Sequence, residues 1–194
     1  MIVALLAITI FNFLTVGESD EDYKERILQE RKDKNGFMLS STSPFTDEGK
    51  ATFKGLNYFE IDKSYQVTAR IELLKNKQPI FITSNTGEQL KYIPFANAFF
   101  ELKGQSFEVI LYQNWEEKDP NKLSFMFADN TSTRSTYGGG RYIDVMYRNT
   151  NSVIIDFNEA YNPYCHYNTE FSCPLPPAKN MLDVAIEAGE KMYK

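Results

Sequence analysis

The stretch "YQVTARIEL", Tyr65–Leu73, sets Tyr65, Val67, Ala69, Ile71 and Leu73 against Gln66, Thr68, Arg70 and Glu72. A two-residue period puts the apolar set on one side of a pleated strand and the polar set on the other. The same pattern recurs downstream in "PIFITS" (79–84), "EQLKYIPFANAFFEL" (88–102), "SFEVILYQN" (106–114), "KLSFMF" (122–127), "RYIDVMYR" (141–148) and "SVIIDF" (152–157). The connectors "NTG" (85–87) and "KG" (103–104) have hairpin chemistry. Short strands joined by such turns predict a mainly β fold, an antiparallel sheet curled into a roll or barrel.

Upstream the period changes. "SDEDYKERILQERKDKNG" (19–36) begins with Ser19 as an N-cap, carries Asp20, Glu21 and Asp22 in its first turn, and ends at Asn35-Gly36. The charge order suits a helix dipole. Its apolar stripe is thin, Tyr23, Ile27 and Leu28, which predicts a helix lying on the surface. Before it, Ile2–Val16 is apolar apart from Thr9, Asn12 and Thr15. That run is shorter than the roughly 20 residues needed to span a bilayer. It matches the apolar region of a signal peptide, with Thr15 and Gly17 as cleavage-site residues. Residues 1–17 therefore read as a signal peptide or a short membrane anchor, and 18–194 as one β-rich domain. An exported domain in the periplasm or cell envelope follows, and an uncleaved anchor would hold it at a membrane surface. The C-terminal stretch 180–193 fits both a strand (Val184, Ile186, Ala188) and a short helix (Leu182, Ile186, Gly189).

Composition excludes some functions. The net charge is −5 and no block of Lys or Arg occurs, so nucleic acid finds no electrostatic footprint. No G-x-G-x-x-G leads from a strand into a helix, so no nucleotide cofactor is called for.

Both cysteines and the single histidine fall within "DFNEAYNPYCHYNTEFSCPLPP" (156–177). Cys165 and His166 are neighbours whose side chains diverge, which argues against a thiol–imidazole catalytic pair. A serine hydrolase would need an elbow motif that the chain lacks. Cys165, His166 and Cys173 offer three ligands where structural zinc takes four, so no metal is expected. In an exported protein the two cysteines would pair, stabilising by roughly 2.5 kcal/mol through a loop of about nine residues. In a cytoplasmic one they would stay reduced and buried. Prolines 163, 174, 176 and 177 stiffen this C-terminal loop segment.

Two further stretches bear on chemistry. In "DNTSTRSTYGGGRYIDV" (129–145), Gly138, Gly139 and Gly140 precede Arg141, with Arg134 upstream. Such a turn either opens a hairpin or gathers backbone N–H groups and guanidiniums around an anion. Asp144 and Asp156 share one face if "NTN" (149–151) is a three-residue hairpin loop, and diverge if the loop is shorter or longer by one. Together with Arg141 they could perform acid–base work, or else stand as solvated acids.

"FKGLNYFEID" (53–62), "TYGGGRYIDV" (136–145), "IDFNEAYNPYC" (155–165), "CPLPPAKN" (173–180) and "AIEAGEK" (185–191) resemble domain of unknown function 1684, a bacterial and archaeal family. The likeness covers about residues 23–194. It departs at Lys179 and His166, and no lipidation cysteine follows the apolar N-terminus. The resemblance lends no activity. It implies that Arg141, Asp144, Asp156, Asn158, Tyr161, Asn162, Cys165 and Cys173 belong to the group's defining motifs. The expectation is a pocket for a small polar or anionic ligand, or a partner, where the GGGRY turn meets FNEAYNPYC. Its candidate residues are Arg134, Arg141, Asp144, Asp156, Asn158, Tyr161 and Asn162. The rival expectation is a hydrolase using Asp144 and Asp156 with Arg141. The sequence leaves the oligomeric state open.

Overall fold

A computed structural model describes residues 18–193, so the expected signal peptide or anchor at 1–17 lies outside the described residues. Helix α1 spans Asp20–Met38 and helix α2 spans Asp47–Thr52. Seven strands follow: β1 Gln66–Leu73, β2 Ile80–Thr83, β3 Gln89–Leu102, β4 Gln105–Asn114, β5 Lys122–Phe127, β6 Arg141–Met146 and β7 Ser152–Asp156. Every pairing is antiparallel, in the order β6-β5-β4-β3-β1-β7, with β2 also on β3.

The long β3 organises the sheet. Its register on β4 shifts between Pro94 and Ala96, so the strand bends there. Residues before the bend pair with β2 and residues after it with β1. Lys103 and Gly104 both take positive φ (51° and 75°), the two-residue turn that matches strand twist, and β3 returns directly as β4. The ring is nearly closed. Tyr142 of β6 exchanges two backbone hydrogen bonds, both 2.9 Å, with Tyr161 just beyond β7.

Inside, the barrel is filled by side chains. Phe157 is fully buried and meets the rings of Phe100, Phe125 and Phe127. Ala69, Ala96, Ala98, Val109, Leu111, Ile143 and Ile155 complete the packing. Of the decisive stretch, Tyr65, Ala69 and Ile71 are buried and Val67 packs against them, while Leu73 is exposed at the strand end.

The tail resolves its ambiguity as neither helix nor ladder strand. Leu182, Val184, Ile186 and Ala188 are buried and alternate with exposed residues, as an extended chain laid across the barrel would. Backbone bonds to Ala128, Asn130, Ala160 and Phe59 hold it there.

Two other expectations change. Helix α1 runs past Asn35-Gly36 to Met38, and its buried residues are Tyr23, Ile27 and Met38, with Leu28 exposed. It lies along the surface, as its thin stripe predicts, with Met38 packed against Phe45 and Leu56 at its end. Strands β6 and β7 form no hairpin ladder: β6 pairs with β5 and β7 with β1. The loop-length question set by "NTN" thus has no bearing on how Asp144 and Asp156 are placed.

Candidate functional site

Three of the sequence-predicted residues, Asp156, Asn158 and Tyr161, are brought under α1. Asp156 ends β7 with its carboxylate buried, accepting from Tyr23 Oη (2.9 Å), Gln66 Nε2 (3.0 Å), Asn158 N–H (3.0 Å) and Asn158 Nδ2 (3.1 Å). Arg26 Nη2 stands 3.5 Å away. Asn158 also donates to Asp62 O and accepts from Asp62 N–H, tying this turn to the segment before β1. Asn162 donates to Glu190 Oε1 and Lys191 O, fixing the tail. Apart from Asn162 Oδ1, which is buried without a partner, these polar groups spend their capacity on the chain itself.

Arg141 does the same. It is 1% exposed, pairs with Asp129 at 2.8 Å, and donates to the carbonyls of Ile186, Ala188 and Glu190. Its guanidinium buckles the tail onto the barrel, and its remaining donor, Nε, is buried without a partner, so Arg141 presents no donor to solvent. The glycines before it answer steric needs. Gly140 has φ +85°, and a Cβ there would meet Pro176 and lie 2.6 Å from Phe127 O. Arg134 is exposed on the neighbouring loop.

Asp144 alone of the two acids is exposed. It accepts from Tyr161 Oη at 3.0 Å and pairs with Lys122 at 3.0 Å. Asp144 and Asp156 line one cleft of about 420 Å³ where β6 and β7 splay, together with Arg26, Arg148 and Glu159. Burial pushes the Glu159 carboxyl up to about 7, although hydrogen bonding from Arg26 pulls it down. Arg141 takes no part in that cleft, so the hydrolase constellation of Asp144, Asp156 and Arg141 is not assembled.

The Cys–His stretch forms a second site. Cys165 and Cys173 are free, buried thiols rather than a disulfide. Cys165 N–H donates to Cys173 Sγ at 3.2 Å, and Cys165 Sγ lies 3.7 Å from Tyr137 Oη. Hydrogen bonding with Cys173, then with Tyr137, holds the Cys165 thiol down at about 7 against the opposing effect of burial. The loop is fastened instead by hydrogen bonds: Cys173 N–H to Asn85 Oδ1 (2.7 Å), Asn85 N–H to Cys173 O (3.0 Å) and Leu175 N–H to Thr83 O (3.0 Å). His166 has separate partners. Its Nε2 accepts from Tyr193 N–H at 3.0 Å, its ring stands 4.5 Å from that of Tyr137, and burial lowers its pKa. No group of three or more His, Cys, Asp or Glu arranged for a metal occurs among the described residues.

Tyr137 and Gly138 of the glycine turn and His166 and Tyr167 of the Cys–His stretch share the wall of a groove of about 880 Å³. Phe45, Thr46 and Gly49 close it from the α2 side, and Met192 and Tyr193 from the tail. The groove carries one carboxylate, Glu48, and no Lys or Arg.

Residues 51–191 match the family described as protein of unknown function, DUF1684. The chain belongs to that family. The DUF1684 match covers the barrel and tail, and α1 precedes it. A solution NMR structure of an uncharacterized protein of Haloarcula marismortui is 30% identical, with a TM-score of 0.70 over 88% of this chain and 95% of that one. No curated protein matches. The fold is thus one that DUF1684 shares with an archaeal relative. No described helix is long and apolar enough to cross a membrane.

Sequence reasoning missed Tyr23, Arg26, Tyr137, Glu159 and Glu190. Glu190 is fully buried, accepts from Lys34 (3.1 Å), Asn162 and Tyr167, and anchors the end of the tail. It lay within "AIEAGEK", a signal of membership but not of chemistry. Tyr137 preceded the glycines in plain view, and only the folded loop turns it towards His166.

Proposed function

We propose that this domain binds a small planar ligand, neutral or cationic, in the groove between α2, the glycine turn and the Cys–His stretch. One observation carries the reading: stretches distant in sequence, the start of α2 on one side and the glycine turn with the Cys–His stretch on the other, enclose one aromatic-lined concavity of ligand size. Tyr137, His166, Phe45 and Tyr193 offer ring faces and edges, and Thr46 and Thr133 offer hydroxyls. Glu48 with no lining cation favours positive or uncharged ligands over the anion first expected. The apolar N-terminal run supports placing this binding on the exported side, at the envelope.

The test is an NMR titration of isotope-labelled protein with planar neutral and cationic fragments. Saturable shifts centred on Thr133, Gly138 and His166 are expected, and Tyr137→Ala should weaken them about tenfold, the scale of one lost aromatic contact. Shifts confined to the β6/β7 cleft, or affinity unchanged in a folded Tyr137→Ala protein, would move the function elsewhere.

A further inference from the structure

Arg31, on the face of α1 turned to the barrel, lacks what its neighbours have. Arg26 is paired with Glu18, Glu30 and Glu159, and Lys34 with Glu190. Arg31 has no carboxylate partner among the described residues, and its hydrogen bond runs from Nη1 to the neutral carbonyl of Phe59 at 3.0 Å. The guanidinium stacks 4.5 Å above the Tyr58 ring. Arg31 Nε, Arg31 Nη2 and Tyr58 Oη are all buried without a hydrogen-bond partner. Burial disfavours the charge, against the opposing influence of Tyr58, Glu60, Tyr23 and Asp156. A guanidinium does not shed its proton in proteins, so its two buried, unpartnered N–H groups call for an acceptor.

The geometry suits one. Nε–H and Nη2–H lie on the same edge of the guanidinium, the fork that grips two oxygens in parallel. Arg31 and Tyr58 line a cavity of about 60 Å³, with Lys34, Glu30, Glu159 and Tyr161. That is room for about two waters or one ion of three or four heavy atoms. The acids beside it are held elsewhere, Glu30 at 2.9 Å and Glu159 at 2.6 Å by Arg26, and Glu190 at 3.1 Å by Lys34, so none of them engages the free edge of Arg31. We infer that this cavity is a binding site for a small planar monoanion, of the formate, nitrate or bicarbonate class, clasped by the free edge of Arg31 and the hydroxyl of Tyr58. The site is separate from the aromatic groove, and it would couple α1 to the barrel through an ion.

The test uses the full chain and carbon-13 formate, followed by NMR line broadening. Saturable broadening is expected, displaced by nitrate but not by an equal concentration of sulfate, a tetrahedral dianion. Arg31→Met should weaken formate at least about tenfold. Should that protein fail to fold, Tyr58→Phe keeps the ring and the guanidinium, removes only the hydroxyl, and should weaken formate several-fold. Broadening that does not saturate, equal competition by sulfate, or wild-type affinity in whichever variant folds would overturn the site.

Discussion

Glu159 shows how one residue's surroundings set its behaviour. Its carboxyl is pushed up to about 7 by burial, from an ordinary value of 4.5, even with Arg26 beside it. The folded state therefore binds a proton that the unfolded state has released between those two values. Stability from this group is complete below about pH 4.5 and is lost as pH rises towards 7. Glu159→Gln keeps an acceptor for Arg26 and cannot ionise, so its melting temperature should fall less than wild type's across that window. Thermal melts at closely spaced pH values check this, and parallel curves would show that Glu159 ionises freely. Nothing in "FNEAYN" marks Glu159 apart from its neighbours, because a raised carboxyl depends on α1, which arrives from more than 100 residues upstream. Arg141 was legible as special, but its buried partners were not. A sequence shows an arginine after three glycines, and only the fold shows that a tail 45 residues on supplies carbonyls to it.

At the scale of elements, local pattern and long-range pairing part company. Strand β5 was read to the residue, and β1, β4 and β7 to within one, because alternation and turn chemistry are local signals. The β6/β7 hairpin was a sound local inference that topology overruled, as β7 crosses to pair with β1. Strands β4 and β5 diverge, sharing the pair Tyr112–Ser124, and Asn180 fills the opening between them. Its Oδ1 accepts from Ile110 N–H at 2.8 Å, and its Nδ2 donates to Ile110 O and Met126 O, both at 2.9 Å. One side-chain amide thus does the work of a missing strand residue. Asn180→Ala should cost about 2–4 kcal/mol by leaving three backbone groups, one buried and two part-buried, unpaired. Urea unfolding measures the loss, and hydrogen exchange at Ile110 should accelerate. A loss under about 0.5 kcal/mol would mean that the strands close up without the amide.

For the whole molecule, the barrel's interior and its aromatic groove are separate systems. The inside is occupied by Phe100, Phe125, Phe127 and Phe157, so this barrel is a scaffold and not a cup. The tail seals it through Arg141, and Gly189 lets the chain pass close to Phe157, where a Cβ would lie 2.6 Å from the Phe157 carbonyl. The aromatic groove draws on α2, two loops and the last residues of the tail, and none of its lining residues belongs to that core. Phe157→Ala removes a ring at the centre of the stack and should destabilise by about 3–5 kcal/mol. Fragment affinity at the groove should stay within about twofold at temperatures where the variant remains folded, since additivity holds for sites without shared partners. Paired calorimetric melts and groove titrations on the same variant check both halves. A large affinity loss alongside intact folding would show that the core and the groove are mechanically joined, with the Cys165 loop the place to look for the link, because it follows the Phe157 turn directly in the chain.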